Sequence, residues 1–367
     1  MSKVFRRRLN VLLALLSLAC VISISHSLAA DSPAAGAAAK KKILFIAGPP
    51  SHPYAQHEFN AGCLLLAKCL NDSGLPIEAK VVDHGWPSDP KVFDGVDAVV
   101  MYSDGGDGHM AMKHLDELDA LVKKGVGVGA IHFAVEVPKG KSGDSFLNAI
   151  GGFFETDWSV NPTWTAQYGR LPKHPVTRGV KPFSIRDEWY FHMRFPEDMK
   201  GVTPILTAVA PAATMSRKDG PHEGNPTVRE EVAKGVPQTM CWVYDRPDGG
   251  RGFGLTGGHY HWNWGNDNMR TLALNLICWI AKADVPVDGV PSKTPTADEL
   301  MANMDQGGSK KELPEYSKEE FEKKLDEWKR EAVAQNLKTI GDALKNYEKK
   351  QSERADDKNQ SPKASQK

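Results

Sequence analysis

Short apolar runs that alternate with helical patterns are the feature of this sequence that most constrains its fold. "KILFIAG" (42–48) and "GVGVGAIHF" (125–133) are continuous apolar runs of strand length, which is typical of strands buried on both faces of a sheet. "EFNAGCLLLAKCLNDSG" (58–74) and "MAMKHLDELDALVKKG" (110–125) carry apolar residues at helical spacing. With two more strands between them, the order β-α-β-β-α-β predicts a three-layer α/β fold with a mostly parallel sheet.

The following part of the sequence is predicted to add further strands and one buried helix. "TWTAQY", "FSIRDEWYFHMRF", "TPILTAV" and "PQTMCWVYD" have the composition of strands. A polar segment rich in glycine and proline, at 215–236, is predicted to be an irregular loop. A last strand, "GRGFGLTGGHYH", leads into a helix at 268–283 that is apolar nearly all round and is therefore predicted to be buried. Asn266 or Asp267 is the expected N-cap of this helix.

The two ends of the chain are predicted to lie outside the α/β domain. Residues 1–30 combine a basic start, an apolar run and small residues at Ser27 and Ala29, which predicts a signal peptide and a secreted or periplasmic protein. An uncleaved anchor, a lipoprotein and twin-arginine export are the alternatives. A spacer (31–41) then leads to the α/β domain (42–283). After the domain we expect a linker or wrapping arm (284–316), a C-terminal helix region (317–348) and a disordered tail (349–367).

Export would place the cysteines of the mature chain in an oxidising compartment. Cys63 and Cys69 lie six apart in one helical pattern, which is too far for a bridge within a straight helix. All four cysteines that follow the signal segment have apolar neighbours, so buried free thiols are predicted. A bridge between Cys241 and Cys278 is the alternative.

Charge and motif content argue against several classes of protein. The chain has 46 basic and 46 acidic residues, which gives no reason to expect nucleic acid or an acidic membrane surface as a partner. There is no phosphate-binding Walker loop and no G-x-G-x-x-G after the first strand, so no nucleotide cofactor is expected. There is also no G-x-S-x-G elbow for a nucleophilic serine. No membrane association is expected beyond the signal segment.

Polar residues, several of them histidines, follow the predicted strands at the point where each strand ends. Ligands of open parallel sheets bind outside the carboxyl ends of the strands, so these residues are candidates for a functional site. They are His52, His57, Asp104, His132, His259 and His261. His132 ends a run of small and apolar residues and is predicted to be buried, where a polar group needs a partner. A core histidine with a purely structural partner is the alternative.

Side-chain alternation along the strands adds further candidates. If the last strand continues to its end, His259 and His261 face one side and present two imidazoles to one metal ion or substrate. In "IRDEWYFHMRF" the same period puts Glu188 and Tyr190 on one face, and Glu188 or Asp187 is a candidate acid/base carboxylate. A solvated sheet face is the alternative for this segment. Surface or turn positions are the alternative for four further polar residues: His84, Asp107, His109 and His114.

Several motifs, taken in their order along the chain, resemble one known family. "KILFIAG", "GVGAIHF", "HPVTRGV" followed by "IRDEWYF", and "GRGFGLTGGHYH" resemble the ThuA-like (trehalose-utilisation) domain over about 42–283. The resemblance implies a flavodoxin-like fold of the class I glutamine amidotransferase type. It places His132 where an amidotransferase has its cysteine nucleophile, and His259 and His261 near its His-x-Glu pair. Glutamine hydrolysis through a thioester is therefore not expected.

The resemblance also implies a role in carbohydrate catabolism, with a small carbohydrate as ligand and a sugar oxidoreductase as candidate partner. Combined with the polar strand ends, it predicts an acid/base enzyme of hydrolase or isomerase type that acts on trehalose, another disaccharide or an oxidised sugar. The predicted catalytic residues are His132, His259, His261, Glu188 and Asp104. The predicted substrate-binding residues are His52, His57, Trp158, Trp262 and Tyr190. One divalent ion (zinc, iron or nickel) is the candidate cofactor, with His132, His259 and His261 as ligands.

Two other classes of function are compatible with the same sequence. A carbohydrate-binding module without catalysis would use tryptophans as stacking platforms, and the candidates are Trp158, Trp164, Trp262 and Trp264. An assembly protein would use the helix region 317–348 to recruit a partner enzyme.

Overall fold

The computed structural model describes residues 39–305, 318–323, 325, 326 and 330. The strands are β1 Lys41–Ala47, β2 Ile77–Val82, β3 Ala98–Tyr102, β4 Gly127–Ile131, β5 Thr163–Tyr168, β6 Phe183–Glu188, β7 Val202–Val209, β8 Pro237–Asp245 and β9 Arg251–Leu255. The helices are α1 Phe59–Asp72, α2 Leu115–Lys123, α3 Lys141–Ile150, α4 Pro226–Ala233, α5 Asp267–Ile280 and α6 Ala297–Met301. The predicted signal peptide and disordered tail lie outside the described residues, as do most of the spacer and of the C-terminal helix region.

One seven-stranded sheet, in the order β2-β1-β3-β4-β9-β8-β7, forms the centre of the fold. The first five strands in this order are parallel, whereas β8 and β7 run antiparallel to their neighbours. The order β2-β1-β3-β4-β9 is that of flavodoxin-like sheets. The predicted α/β fold with a mostly parallel sheet is therefore confirmed. Strands β5 and β6 form a separate antiparallel pair, called the ribbon below.

Helices cover both faces of the sheet and bury it completely at its centre. Along β1, Ile43 and Phe45 join an apolar core that also contains side chains of α1 and α5. Leu44 and Ile46 point the other way, into a second core with side chains of α2 and α3. All four side chains are at most 3% exposed. Burial on both faces explains why this strand has an uninterrupted apolar sequence.

The predicted burial of the helix before the C-terminal segments is confirmed in α5. Most of its side chains are buried, and Asn266 caps its N-terminus by accepting hydrogen bonds from the backbone N–H groups of Asn268 and Met269. Inside α5, the fully buried Asn275 donates to the carbonyl of Val176 and accepts from the backbone N–H of Val290. This amide holds the chain after α5 against the domain.

The segment after α5 was predicted to be either a linker or a wrapping arm. Residues 284–305 pack on the domain, so this part of the segment is a wrapping arm. Val285, Val290 and Leu300 are buried. The backbone N–H of Asp305 donates to the Glu58 carboxylate at the start of α1, 2.6 Å away. Residues 318–323, 325 and 326 are helical, which agrees with the helix predicted there, and Phe321 among them is buried.

Two predicted strands are shorter than expected, and both end at the candidate site. β6 stops at Glu188 and β9 stops at Leu255, although both were expected to run on for six or seven residues. After Leu255, Gly257 and Gly258 turn the chain, and Gly258 adopts a φ of 118° that side chains disfavour.

Because the strands stop, their two-residue alternation does not reach the residues beyond them. His261 begins a 3-10 helix instead of continuing a strand, so the predicted common face of His259 and His261 is wrong. Glu188 and Tyr190 do lie side by side, as predicted, but Tyr190 follows the end of β6 and so does not owe its direction to strand alternation. Chain turns, not strand pleating, set the directions of these side chains.

Two further local predictions are wrong for reasons of local hydrogen bonding and packing. The loop predicted at 215–236 contains α4, which Asn225 caps and Pro226 begins, and which buries Val228 and Val232. The helix predicted from 110 begins only at Leu115.

His109, for which a solvated helix face was an alternative, is instead buried. One ring nitrogen donates to the carbonyl of Ala134 and the other accepts from the backbone N–H of Ala111.

The four described cysteines are free thiols, as predicted. Cys63, Cys241 and Cys278 are buried, and Cys69 is half-buried. Within the described residues, no helix combines the length and the apolar character needed to cross a membrane.

Candidate functional site

The candidate site lies at the carboxyl edge of the parallel strands, where the strand order changes direction. Loops that follow β1, β3, β4 and β9 meet there, and they contribute His57, Asp104, His132 and His259. In flavodoxin-like sheets this crevice between the first and third strands is the usual ligand position. The fold therefore brings four sequence-predicted residues into one place.

Two of these histidines adopt backbone conformations that are rare for residues other than glycine. His57 has a φ of 52° and His132 a φ of 54°. His132 is the first residue after β4, at the tight turn into a 3-10 helix that ends at Val135. Such conformations cost about 1–3 kcal/mol each and cluster at functional sites.

The closest group of side chains consists of His57, His132, His259 and Glu188, called the histidine centre below. One ligand-type atom from each residue lies within 4.8 Å of the others. His57 Nε2 is 2.9 Å from His259 Nδ1 and 3.0 Å from His132 Nε2. Glu188 Oε2 is 3.1 Å from His259 Nδ1 and 3.6 Å from His132 Nε2. The three imidazoles are almost fully buried.

The outward nitrogen of each imidazole faces an oxygen that can only accept a hydrogen bond. His132 Nδ1 is 2.8 Å from the carbonyl oxygen of Thr256, and His259 Nε2 is 3.1 Å from Gln56 Oε1. His57 Nδ1 is 3.3 Å from Asp104 Oδ1. In the neutral tautomers that satisfy these acceptors, each outward nitrogen carries the proton and the inward nitrogen has a free lone pair.

Three lone pairs and a carboxylate oxygen thus point at one another, which is repulsive unless a cation lies between them. A proton is disfavoured, because burial lowers the pKa of His57 and of His132 well below the ordinary value, and the neighbouring histidines lower it further. The arrangement is suited to a divalent metal ion, which neutral imidazoles and carboxylates bind.

Neighbouring groups fix Glu188 and the turn that carries His259. The Tyr190 hydroxyl donates to Glu188 Oε2, 3.2 Å away. The fully buried carboxylate of Asp187 accepts hydrogen bonds from the backbone N–H groups of Glu188, Gly258 and His259 and from the Asn263 amide. Asp187 is therefore a positioning residue, and of the two carboxylates considered from the sequence, Glu188 is the one in the histidine centre.

A second cluster, of His52, His57 and Asp104, adjoins the histidine centre. The ring of His52 stacks on that of His57, with centroids 3.5 Å apart. Ser51 Oγ donates to Asp104 Oδ1 at 2.9 Å, which fixes the carboxylate behind His57. Asp104, which was predicted to be catalytic, is therefore not a member of the histidine centre. It contacts the centre through His57, whose imidazole it orients.

A cavity of about 410 Å³ opens onto these residues and is called the histidine cavity below. Its lining includes His52, His57, Glu188, Tyr190 and His259, all of them predicted site residues. The predicted residues that the structure brings together at or beside this cavity also include His132 and Asp104.

His222 and Glu136, which were not singled out in the sequence, form a pair at the same cavity. His222 lines the cavity, and its Nε2 is 2.8 Å from Glu136 Oε1. Glu136 is only 2% exposed, and its Oε2 has no partner among the described residues. The hydrogen bond to Glu136 raises the pKa of His222, so the charged form is more favoured than in a free histidine. No local sequence signal marks this pair, since its members lie 86 residues apart.

Three predicted residues lie away from the histidine cavity. His261 is fully buried and its Nε2 is 2.8 Å from the carbonyl oxygen of Leu300, so it anchors the wrapping arm and does not join the histidine centre. His261 was predicted to be a metal ligand beside His259 because the last strand was expected to continue to it. That strand, β9, ends six residues earlier, at Leu255.

The two tryptophans predicted to contact substrate are also elsewhere. Trp158 stacks on the ring of His192, at 4.2 Å between centroids, and under the guanidinium of Arg194. Trp262 stacks on Tyr260 at 4.6 Å. Neither lines the histidine cavity.

Comparison with known proteins gives matches in a family model and in solved structures. The family model described as "ThuA: Trehalose utilisation" matches residues 44–280, which is more than half of the chain. A search of curated proteins returned no match.

Two ThuA-like proteins of known structure are similar to this chain. The one from Bacteroides uniformis shares 17% sequence identity, with 68% of this chain and 94% of that chain covered and a TM-score of 0.48. The one from Parabacteroides merdae shares 19%, with 70% and 94% covered and a TM-score of 0.47. A glutamine amidotransferase from Thermotoga maritima shares 9%, with 66% and 99% covered and a TM-score of 0.39. The match of the family model confirms the predicted resemblance, and this chain belongs to the ThuA (trehalose utilisation) family.

Proposed function

We propose that this protein is a metal-dependent acid/base enzyme that acts on a sugar or an oxidised sugar, with His57, His132, His259 and Glu188 as the metal ligands. The observation that carries the proposal is the orientation of the three imidazoles. Each has its outward nitrogen beside an oxygen acceptor and its inward nitrogen within 3.0 Å of another imidazole nitrogen of the group. Acceptors of this kind fix the tautomer and ring direction of metal-bound histidines.

The distances in the histidine centre support a four-coordinate site. Zinc binds imidazole nitrogen and carboxylate oxygen at about 2.0–2.1 Å, and a tetrahedron with such bonds has edges of about 3.3 Å. Four of the six separations between ligand atoms of His57, His132, His259 and Glu188 are 2.9, 3.0, 3.1 and 3.6 Å, and all six are within 4.8 Å. These four separations are close to the edge length of such a tetrahedron.

The ion would supply a positive charge that polarises an oxygen of the substrate or of water, taken up as a fifth ligand beside the four protein ligands. The carboxylate oxygen of Glu188 that does not bind the ion can accept a proton from a ligand in the histidine cavity and return it in a later step. The Tyr190 hydroxyl, whose pKa is raised by burial, stays protonated and holds the carboxylate by its hydrogen bond. His222, whose pKa the hydrogen bond to Glu136 raises, offers a proton donor on the same cavity. These groups suit hydrolase or isomerase chemistry of a polyhydroxylated substrate.

A thioester mechanism has no candidate nucleophile in the part of the chain that the structure describes. His132 occupies the turn after β4, and no cysteine lines the histidine cavity among the described residues. Burial also raises the pKa of the Cys63 thiol and of the Cys241 thiol, which disfavours the reactive thiolate.

Elemental analysis of the purified protein tests the metal site. We expect about one equivalent of zinc, iron or nickel per chain, and its loss in His259→Ala with the fold retained by circular dichroism. His114→Ala is the matched control, because this histidine is half-buried at the start of α2, away from the cavity. A purified protein that neither contains nor takes up a divalent ion would overturn the proposal.

A substrate screen tests the reaction. The metal-loaded protein is incubated with trehalose, maltose and sucrose and with their enzymatically oxidised forms, and products are followed by NMR. Turnover that is lost both in Glu188→Gln and after metal removal would support the acid/base role. Binding without turnover of any of these sugars would instead favour a carbohydrate-binding module.

We also propose that the protein is exported and acts beside a sugar oxidoreductase. Export is supported by the basic, apolar and small-residue pattern of residues 1–30. N-terminal sequencing of protein purified from cells tests it, because an intact Met1 in all of the protein would contradict cleavage. Co-purification from the native host, with and without residues 317–367, tests the partner.

A further inference from the structure

A second cavity adjoins the histidine cavity and is called the ribbon cavity below. It has a volume of about 590 Å³, and the two cavities share three lining residues: Asn161, Glu188 and Arg217. Glu188 is a member of the histidine centre, so a ligand that reaches the centre can extend past this carboxylate into the ribbon cavity.

The wall of the ribbon cavity follows from the alternation of side chains on β5 and β6. Trp164 and Ala166 point into the core and are buried. The opposite face carries Thr163, Thr165 and Gln167, and the pairing of the two strands sets Thr163 against Glu188 and Thr165 against Arg186. This face therefore presents hydroxyl, amide and guanidinium groups in a row that ends at the histidine centre.

Two arginines that line the ribbon cavity have no acidic partner among the described residues. Elsewhere in the same part of the fold, Arg194 pairs with Glu155 and Arg229 pairs with Asp219. Arg186 and Arg217 form no such ion pair with a described residue. Arg217 is held in place, since its Nη2 donates to Asn161 Oδ1 at 2.8 Å and to the carbonyl of His222 at 2.9 Å.

From this charge pattern we propose that the ribbon cavity binds an oxyanion group, a carboxylate or a phosphate, carried by the substrate whose other end reaches the histidine centre. This proposal rests on the proposed function, because that function places the reacting end of the substrate at the histidine centre. A guanidinium matches the planar oxygens of a carboxylate or a phosphate and forms strong charge-assisted hydrogen bonds with them. Glu188 is the only carboxylate that lines this cavity among the described residues. Its repulsion would direct the anion away from this carboxylate and towards the two guanidinium groups.

Matched pairs of neutral and anionic sugars test this proposal by calorimetry. The probes are trehalose with trehalose 6-phosphate, and maltose with maltobionate, so that one arm reports on phosphate and the other on carboxylate. We expect the anionic member of at least one pair to bind about tenfold or more tightly, as one charge-assisted hydrogen bond allows. This advantage should shrink as the salt concentration rises.

Arginine variants assign the effect to the ribbon cavity. Arg186→Gln and Arg217→Gln should remove most of the preference for the anion, measured within each variant as the ratio of the affinities for the anionic and the neutral sugar. Arg170→Gln, on an exposed residue outside both cavities, should keep the preference. If Arg217→Gln unfolds because its contacts to the loop are lost, Arg186→Gln decides, since this side chain is exposed.

Metal-depleted protein separates this proposal from the proposed function. A preference for the anion that persists without metal and depends on Arg186 supports the ribbon cavity even if the metal site proves wrong. The proposal would be overturned if the neutral and anionic probes bound equally, or if no probe bound at all. It would also be overturned if metal removal abolished the preference for the anion while both arginine variants still showed this preference.

Discussion

At the scale of single residues, His57 and His132 show how the site obtains its geometry. Both adopt positive φ values, which the surrounding structure must stabilise. The backbone N–H of His57 donates to the carbonyl of His259, and the ring of His132 is held by the carbonyl of Thr256. Each imidazole is therefore oriented by a partner that is distant in the sequence.

Asp104 is expected to affect metal binding without touching the metal. Asp104→Ala removes the acceptor of His57 Nδ1, so metal affinity should fall about 10–100-fold, the usual effect of losing such a partner. Asp107→Ala, in the same turn but exposed, is the matched control and should bind metal like the wild type. Competition with a chromophoric chelator measures both. Equal affinities for the two variants would show that Asp104 does not orient His57.

The two neighbouring histidines after β9 should behave differently. His259→Ala is expected to lose the metal, since it removes a ligand of the histidine centre. His261→Ala should keep the metal and loosen the wrapping arm, because its ring binds the carbonyl of Leu300. Elemental analysis and limited proteolysis of residues 284–305 measure the two effects. A well-folded His261→Ala protein without metal would contradict this assignment.

At the scale of elements, the turn after β9 assembles the histidine centre. The Tyr102 hydroxyl donates to the carbonyl of Gly258, and Asp187 accepts from the N–H groups of Gly258 and His259. Gly258 has a φ of 118°, and an added Cβ would lie 3.3 Å from both Ile131 Cγ2 and the Tyr102 hydroxyl. The turn thus needs glycine for its conformation and for its packing.

Gly258→Ala should therefore lower both stability and metal affinity. We expect a loss of about 1–3 kcal/mol in the free energy of unfolding, measured in urea, together with weaker metal binding. Gly249→Ala is the matched control, because Gly249 also has a positive φ but has no atom within 4 Å of an added Cβ. It should lose about 1 kcal/mol and bind metal normally. If both variants bind metal equally well, the turn does not position His259.

At the scale of the whole molecule, buried neutral histidines make stability depend on pH. Burial lowers the pKa of His109 and of His261 to about 4, and those of His57 and His132 are lowered as well. The unfolded chain binds protons near pH 6.5 whereas these folded sites do not, so their contribution to stability is lost as the pH falls from about 6.5 towards 4. Glu58, whose pKa burial raises to about 7, acts in the opposite direction.

Removing one such histidine should flatten this dependence. In His109→Gln, the drop in unfolding free energy between pH 7 and pH 5 should be smaller than in the wild type, as measured by urea denaturation with chelator present. His84→Gln, on an exposed residue, is the control. In protein loaded with metal, the ion should be released over the same pH range, because protons compete for the histidine ligands. An unchanged slope in His109→Gln would refute this account.

The sequence by itself determined the layers of the fold and the edge at which the site lies. Continuous apolar runs such as β1 mark strands buried on both faces, and the carboxyl ends of parallel strands meet at one edge. Local periodicity carries this information, so His52, His57, His132 and His259 could be grouped without a structure. The helix cap could be narrowed to Asn266 or Asp267 for the same reason, since capping depends on neighbours in the chain.

Only the tertiary structure decided which of these polar residues act together. The residues that contact one another are far apart in the sequence. His57 and His259 are separated by 202 positions, Gln56 and His259 by 203, and Glu136 and His222 by 86. His261, two residues from His259, turns away because glycines end β9 early. A periodic pattern predicts directions only while a strand continues. Beyond its end, packing and hydrogen bonds between distant segments set the direction of each side chain.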